Sequence, residues 1–184
     1  MQDSLNVHKL KFQPQKTTYL NKMKIISTLL TLITLWIFLV STNIQKSDYL
    51  NPTGTYNLDS KTEKKGNDIY GYTGQIQVKA ITKTRIAITL GVNKGAPSYN
   101  SGTLIDTLDY FDDVAIYKDT NPQGDASCKI TFSFNPKGVN VTEKTADYNM
   151  GCGFGHAVVA SGFYKKTSSA IPVLTNPGTG EEIK

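Results

Sequence analysis

Histidine is almost absent from this chain. It carries two, His8 and His156, and only His156 lies beyond the long apolar run discussed below. Cysteine is as scarce, with Cys128 and Cys152 alone. Two thiols and one imidazole fall short of a closed structural zinc site. No EF-hand spacing occurs, no nucleophile elbow surrounds a serine, and no glycine-rich loop opens a helix to cradle a phosphate. Segments of helical period are few. Zinc, EF-hand calcium, P-loop and α/β-hydrolase chemistries are thereby set aside, and no cofactor or resident metal is expected.

Charge is missing from one long segment. No charged residue lies between Lys24 and Lys46, and residues 25–40 (IISTLLTLITLWIFLV) are apolar apart from Ser27, Thr28, Thr31 and Thr34. A signal-peptide core runs about 7–15 residues and a spanning helix needs about 20. The run falls between the two, so a cleaved signal and a retained anchor both stand. Lys16, Lys22 and Lys24 would stay on the cytoplasmic side in either case. An Ala-x-Ala cleavage site is missing, although Val40-Ser41-Thr42 offers modest side chains for a peptidase. Either reading places the rest of the chain outside the cytoplasm, periplasmic or secreted, or tethered to the membrane by residues 25–40.

The leader also owns the basic charge. Five lysines (Lys9, Lys11, Lys16, Lys22, Lys24) face one acid, Asp3, before the apolar run; fifteen basic and fourteen acidic residues follow it. The exported part is near neutral, so the net charge of +5 is no argument for a nucleic-acid partner. An even pair of cysteines in an oxidising compartment predicts one disulfide, Cys128–Cys152. The expected organisation is a leader over 1–42, a linker over 43–52, a β domain over 53–174 and a loose tail over 175–184.

What the exported part does contain is short alternating runs separated by Gly, Pro, Asn and Asp. Strands are predicted at 55–58, 75–82, 85–92, 103–110, 114–118, 128–135, 139–142 and 157–166. Lys83-Thr84, Asp112-Asp113 and Asn135-Pro136-Lys137-Gly138 read as turns. Ile86, Ile88, Leu90 and Val92 should face inward. The charged segment 61–68 reads as a solvated loop, and Tyr70 and Tyr72 as loop aromatics. About eight short strands in one chain predict an all-β fold, a small antiparallel barrel, with a sandwich as the alternative.

Candidate functional residues gather in two loops. Tyr99, Asn100 and Ser101 sit in the segment Gly95 to Gly102, and Phe154 and His156 in the glycine-rich stretch Gly151 to Gly155 and its flank. Rigid loop aromatics suit contact with a protein partner. Cys152 and His156 could instead form a nucleophile and base pair, as in thiol hydrolases, provided Cys152 is free; Ser161 or an aspartate could serve His156 in a less supported variant. Asp106, Asp109, Asp112 and Asp113 cluster at a predicted turn. They could bind calcium or act as a carboxylate pair, but Asp-Asp is ordinary turn chemistry. Asn140-Val141-Thr142 is a glycosylation sequon, meaningful on a eukaryotic secretory route.

The series Cys128-Lys-Ile-Thr-Phe-Ser-Phe, Gly138-Val-Asn-Val and Cys152-Gly-Phe-Gly-His-Ala-Val-Val-Ala-Ser-Gly-Phe-Tyr-Lys resembles a module of uncharacterised exported bacterial proteins. Its pattern is C-x3-F-x-F, G-V-x-V, C-G-F-G-x2-V-x-A-x-G-x-Y. Related modules are similar to ones that sit beside lysozyme-inhibitor-like domains. The resemblance implies a disulfide-linked β-barrel in the bacterial envelope and a non-enzymatic binding role, with a wall-degrading enzyme such as lysozyme as partner. Gly54-Thr55-Tyr56 resembles the opening of lipocalin-like barrels, which implies a carrier of a small apolar ligand as the alternative.

Overall fold

The computed structural model describes residues 49–121 and 124–183. The apolar run 25–40, the leader and most of the linker lie outside the described residues.

Nine strands form one antiparallel sheet: β1 (Gly54–Leu58), β2 (Glu63–Lys65), β3 (Asp68–Thr82), β4 (Arg85–Gly95), β5 (Ser101–Phe111), β6 (Val114–Lys118), β7 (Lys129–Asn135), β8 (Gly138–Lys144) and β9 (Gly162–Ser168). Each strand pairs with its sequence neighbour from β2 to β9, and β1 closes the ring by pairing with both β9 and β3. The result is an eight-stranded closed barrel, with β2 as an added ribbon on β3. The seam between β5 and β6 is short: only Tyr110↔Ala115 and Phe111↔Val114 pair there.

Period-two alternation builds the wall. Ile86, Ile88, Leu90 and Val92 on β4 point inward and are buried. Ile76 and Val78 on β3 meet them, and Ile130, Phe132, Val139 and Tyr164 fill the opposite side. The interior is thus packed with side chains. One end is sealed by edge-to-face aromatics, with Phe134 centred 5.9 Å from Tyr56 and 5.7 Å from Tyr110. Tyr110 anchors the incoming chain there, its O–H donating to the Leu50 carbonyl at 2.8 Å. Burial pushes the Tyr56 phenol up to about 12.

Four segments differ from the sequence expectation. The charged segment 61–68 is a hairpin rather than a loop, β2 pairing with β3 from Glu63↔Tyr70 to Lys65↔Asp68. All three β2 residues are exposed, so no hydrophobic alternation announces them; Gly66, at φ 63°, supplies the left-handed turn. β3 consequently starts at Asp68, and Tyr70 and Tyr72 lie in a strand. β4 and β5 run on until Asn93 pairs with Ser101, shrinking the expected loop to residues 96–100. The last strand begins at Gly162 instead of residue 157, because Val158 and Ala160 turn into the core first.

The final segment is no loose tail where it is described. Thr175 and Glu182 form a bridge, and the Thr175 N–H donates to Oε1 of Gln77 at 3.0 Å. This turn lies on the outer wall of β3 and β4, next to Thr89, which is 2% exposed although its side chain faces outward.

Candidate functional site

The two ends of the barrel are built differently. At one end, pairs of strands are joined by the tight turns 83–84, 112–113 and 136–137. At the other end lie the longer connections: 59–67 with its β2 ribbon, 96–100, 119–128 and 145–161. Long loops on a rigid wall are where binding residues concentrate. Every candidate singled out in the two loops falls at this second end.

Two of those loops are joined into one surface. The Asn100 side-chain amide donates to the His156 carbonyl at 2.9 Å, and the Gly155 N–H donates to the Ser101 carbonyl at 2.9 Å. Loop 96–100 is itself fixed from within. Asn93 donates to the Tyr99 carbonyl at 3.1 Å and accepts the Gly95 N–H at 2.7 Å. The Tyr99 O–H donates to Asp68 at 2.5 Å, reaching across to the β2–β3 ribbon. That hydrogen bond, and secondarily desolvation, raises the Tyr99 phenol above its ordinary value. The Ala96–Pro97 peptide is cis.

Tyr99, Ser101 and His156 are exposed and Asn100 is half-buried. Phe154 is different. It is 3% exposed and belongs to the core, its ring stacked where a Cβ on Gly102 would lie, 2.4 Å away. Only a glycine at 102 leaves that space. Phe154 therefore supports the surface from below and is not itself a contact residue.

The second loop is pinned by a disulfide and one carboxylate. Cys128, just before β7, is bonded to Cys152 in a 3-10 turn, Gly151–Gly153, with an S–S distance of 2.02 Å. Neither described cysteine is free. Cys152 therefore has no thiol to pair with His156. Asp125 accepts from the Ser127 N–H at 2.9 Å, the Thr145 hydroxyl at 2.6 Å and the Cys152 N–H at 3.2 Å. The Ser127 and Thr145 bonds hold its carboxyl far below the usual carboxylate range. The spacing of Ser127 and Thr145 gave no hint of this knot, since its members are 18 positions apart and meet only through β7 and β8 pairing.

Glu143 is the other carboxyl that pattern reading missed. It sits at an inward position of β8 and is 3% exposed. Its Oε2 accepts the Ala160 N–H at 2.7 Å, while Ser161 accepts the Glu143 N–H at 2.9 Å. Oε1 has no partner. Burial raises its pKa, against a smaller lowering from the Ala160 bond. The signal was present in the parity: Val139, Val141 and Glu143 share one face.

The aspartates of the predicted turn diverge. Asp112 and Asp113 occupy the left-handed positions of the β5–β6 turn, at φ 48° and 61°. Asp113 receives the Tyr110 hydroxyl at 3.1 Å. Asp106 caps the neighbouring Thr107 N–H at 2.6 Å. Among the described residues, no three His, Cys, Asp or Glu side chains converge on a common point. Asn140 of the sequon is exposed on β8.

Comparison with protein-family models, with curated proteins and with solved structures finds no match. The reading of function therefore rests on the geometry and on the sequence pattern.

Proposed function

We propose that this chain is an exported, non-enzymatic binding protein of the bacterial envelope, presenting the long-loop end of a rigid barrel to a protein partner. The carrying observation is the pair of hydrogen bonds, Asn100 to His156 and Gly155 to Ser101, that fuses two loops into one surface. A surface fixed in advance loses little conformational entropy on binding. The disulfide is compatible with an oxidising compartment, periplasmic or secreted, or with a domain tethered outside the membrane.

The partner class we propose is a wall-degrading enzyme such as lysozyme, which the loops would inhibit by occupying its cleft. Tyr99 and His156 are the exposed side chains placed to make that contact. The alternative, a carrier of an apolar ligand, needs an empty lumen. Ile88, Leu90 and Phe132 are 0% exposed inside the barrel, which favours surface recognition.

A turbidity assay with the full chain and several lysozyme types tests the reading. Clearing of bacterial walls should slow, and Tyr99→Ala with His156→Ala should restore it. Unimpeded lysis by every lysozyme type would remove the named target. Loss of capture of any envelope protein, with the loop variants behaving as the parent does, would remove the loop surface.

A further inference from the structure

A cleft of about 730 Å³ opens on the outer wall of the barrel, beside the long-loop end, and no charged residue lines it. Charged residues make up 19% of the chain, so a lining of this size would ordinarily include several. Its floor is two cross-strand ladders. One runs Asn57↔Gln75↔Gly91↔Thr103 and the other Thr73↔Asn93↔Ser101. Side chains on one face of a sheet repeat at about 4.8 Å across strands and about 7 Å along them. The floor is thus a regular grid of hydroxyl and amide groups.

The walls come from two connections. Ser60 and Thr62 stand on one side, from the link between β1 and β2. Pro177 and Gly178 stand on the other, carried by the C-terminal turn that Gln77 holds through Thr175. Gly91 lets Pro177 settle directly on the sheet, since a Cβ there would lie 2.6 Å from the proline ring.

Much of the hydrogen-bonding capacity is unused. Thr62, Thr73, Ser101 and Thr103 are exposed, and none of their hydroxyls has a partner among the described residues. Gln75 donates to Asn57 at 3.1 Å, leaving the Gln75 carbonyl oxygen and the Asn57 amide hydrogens available. Asn93 and Ser60 are the exceptions, Asn93 being spent on Tyr99 and Gly95 and the Ser60 hydroxyl donating to the Tyr72 carbonyl.

We infer that this cleft binds a neutral, hydroxyl-rich ligand, a short uncharged oligosaccharide. The chemistry excludes the other classes in turn. No cation is present to offset an anionic ligand, and no carboxylate a cationic one. Only Leu58, Val92 and Pro177 are apolar, too few for a lipid or an aromatic drug-like ligand. The central strand, β4, is paired on both sides at Gly91, Val92 and Asn93, so it offers a peptide no open edge. What remains is recognition by uncharged donors and acceptors, which suits the hydroxyls and amides of a sugar chain.

The test uses the full-length chain passed over immobilised N,N′,N″-triacetylchitotriose, maltotriose and trigalacturonate. The expected result is saturable retention on a neutral trisaccharide and none on the acidic one. The double variant Thr73→Val, Thr103→Val removes two hydroxyls with almost no change of shape, and valine suits a strand. It should weaken retention at least about tenfold while the melting temperature stays that of the parent. Failure to bind either neutral sugar at millimolar concentration, equal binding of trigalacturonate, or full retention by the valine variant would each overturn the inference.

Discussion

Ala160 and Glu143 meet through one hydrogen bond inside the loop end of the barrel: the Ala160 N–H donates to Oε2 at 2.7 Å, and the carboxyl's other oxygen faces no partner. A buried carboxyl in this state prefers its proton. Its folded pKa lies above the ordinary 4.5, so the unfolded chain releases the proton first as pH rises. Glu143 therefore lowers stability progressively as pH climbs from about 4.5 through the raised value. Glu143→Gln keeps an acceptor for Ala160 and removes the charge. The variant should melt about 3 °C higher than the parent at neutral pH, with the gap closing near pH 4. A gap independent of pH would show that the carboxyl's ionisation is not the cause.

Asp125 carries the opposite sign. Its folded pKa is depressed by the donors around it, so it contributes stability above the ordinary value of 3.8 and loses it as pH falls below. Asp125→Asn should lower the melting temperature at pH 7, and parent and variant should converge in strong acid. Amide exchange should quicken at Ser127 and Cys152, whose N–H groups it receives.

The disulfide closes a loop with a sequence separation of 24. Replacing both cysteines by serine should cost about 3 kcal/mol in urea unfolding, by the chain-entropy relation. Reduction of the parent should reproduce most of that loss. If the reduced and serine forms unfold at the parent's midpoint, the loop end is held by Asp125 and the strand pairing alone.

Much of the barrel was legible in the sequence because its code is local. Ile86 to Val92 alternate without a break, and Asp112-Asp113 falls between two strands as the turn does. The disulfide followed from two cysteines and a compartment. The features that escaped depend on contacts between distant residues. Phe154 looks like a rim aromatic among glycines, yet its burial is decided by Gly102, which leaves the room its ring fills. Glu143 reads as the end of a strand, because an acid at an inward position ordinarily stops the pattern. The polar cleft is less visible still: Asn57, Thr73, Gln75 and Thr103 look like the solvated faces of three separate strands until register brings them together.

That cleft depends on the seating of the C-terminal turn, and Gly91 tests it. Gly91→Ala places a methyl 2.6 Å from Pro177 and should lift the turn away. Exchange should then quicken at the Thr175 and Gly180 amides, and Thr89 should become reachable by solvent. The barrel interior should be unaffected, with a loss of roughly 1 kcal/mol or less. A global collapse in stability would mean that the turn braces the wall rather than lying on it.

The strand that closes the ring has a further consequence. β1 is the first strand of the barrel, and its partners include the last: Thr55 pairs with Ser168. The stretches β2 to β5 and β6 to β9 are both runs of neighbouring hairpins, able to zip locally, and their strands pair with each other through only two residue pairs, at the β5–β6 seam. Ring closure must wait for contacts of the longest range in the domain, whose entropy of closure is met only at the end. During synthesis from the N-terminus, residues 54–58 must remain without half of their partners until residues 162–168 have emerged. Loop-closure entropy predicts that the joining of β1 to β9 is the slow step of folding, and β1 is the strand left longest without one of its partners.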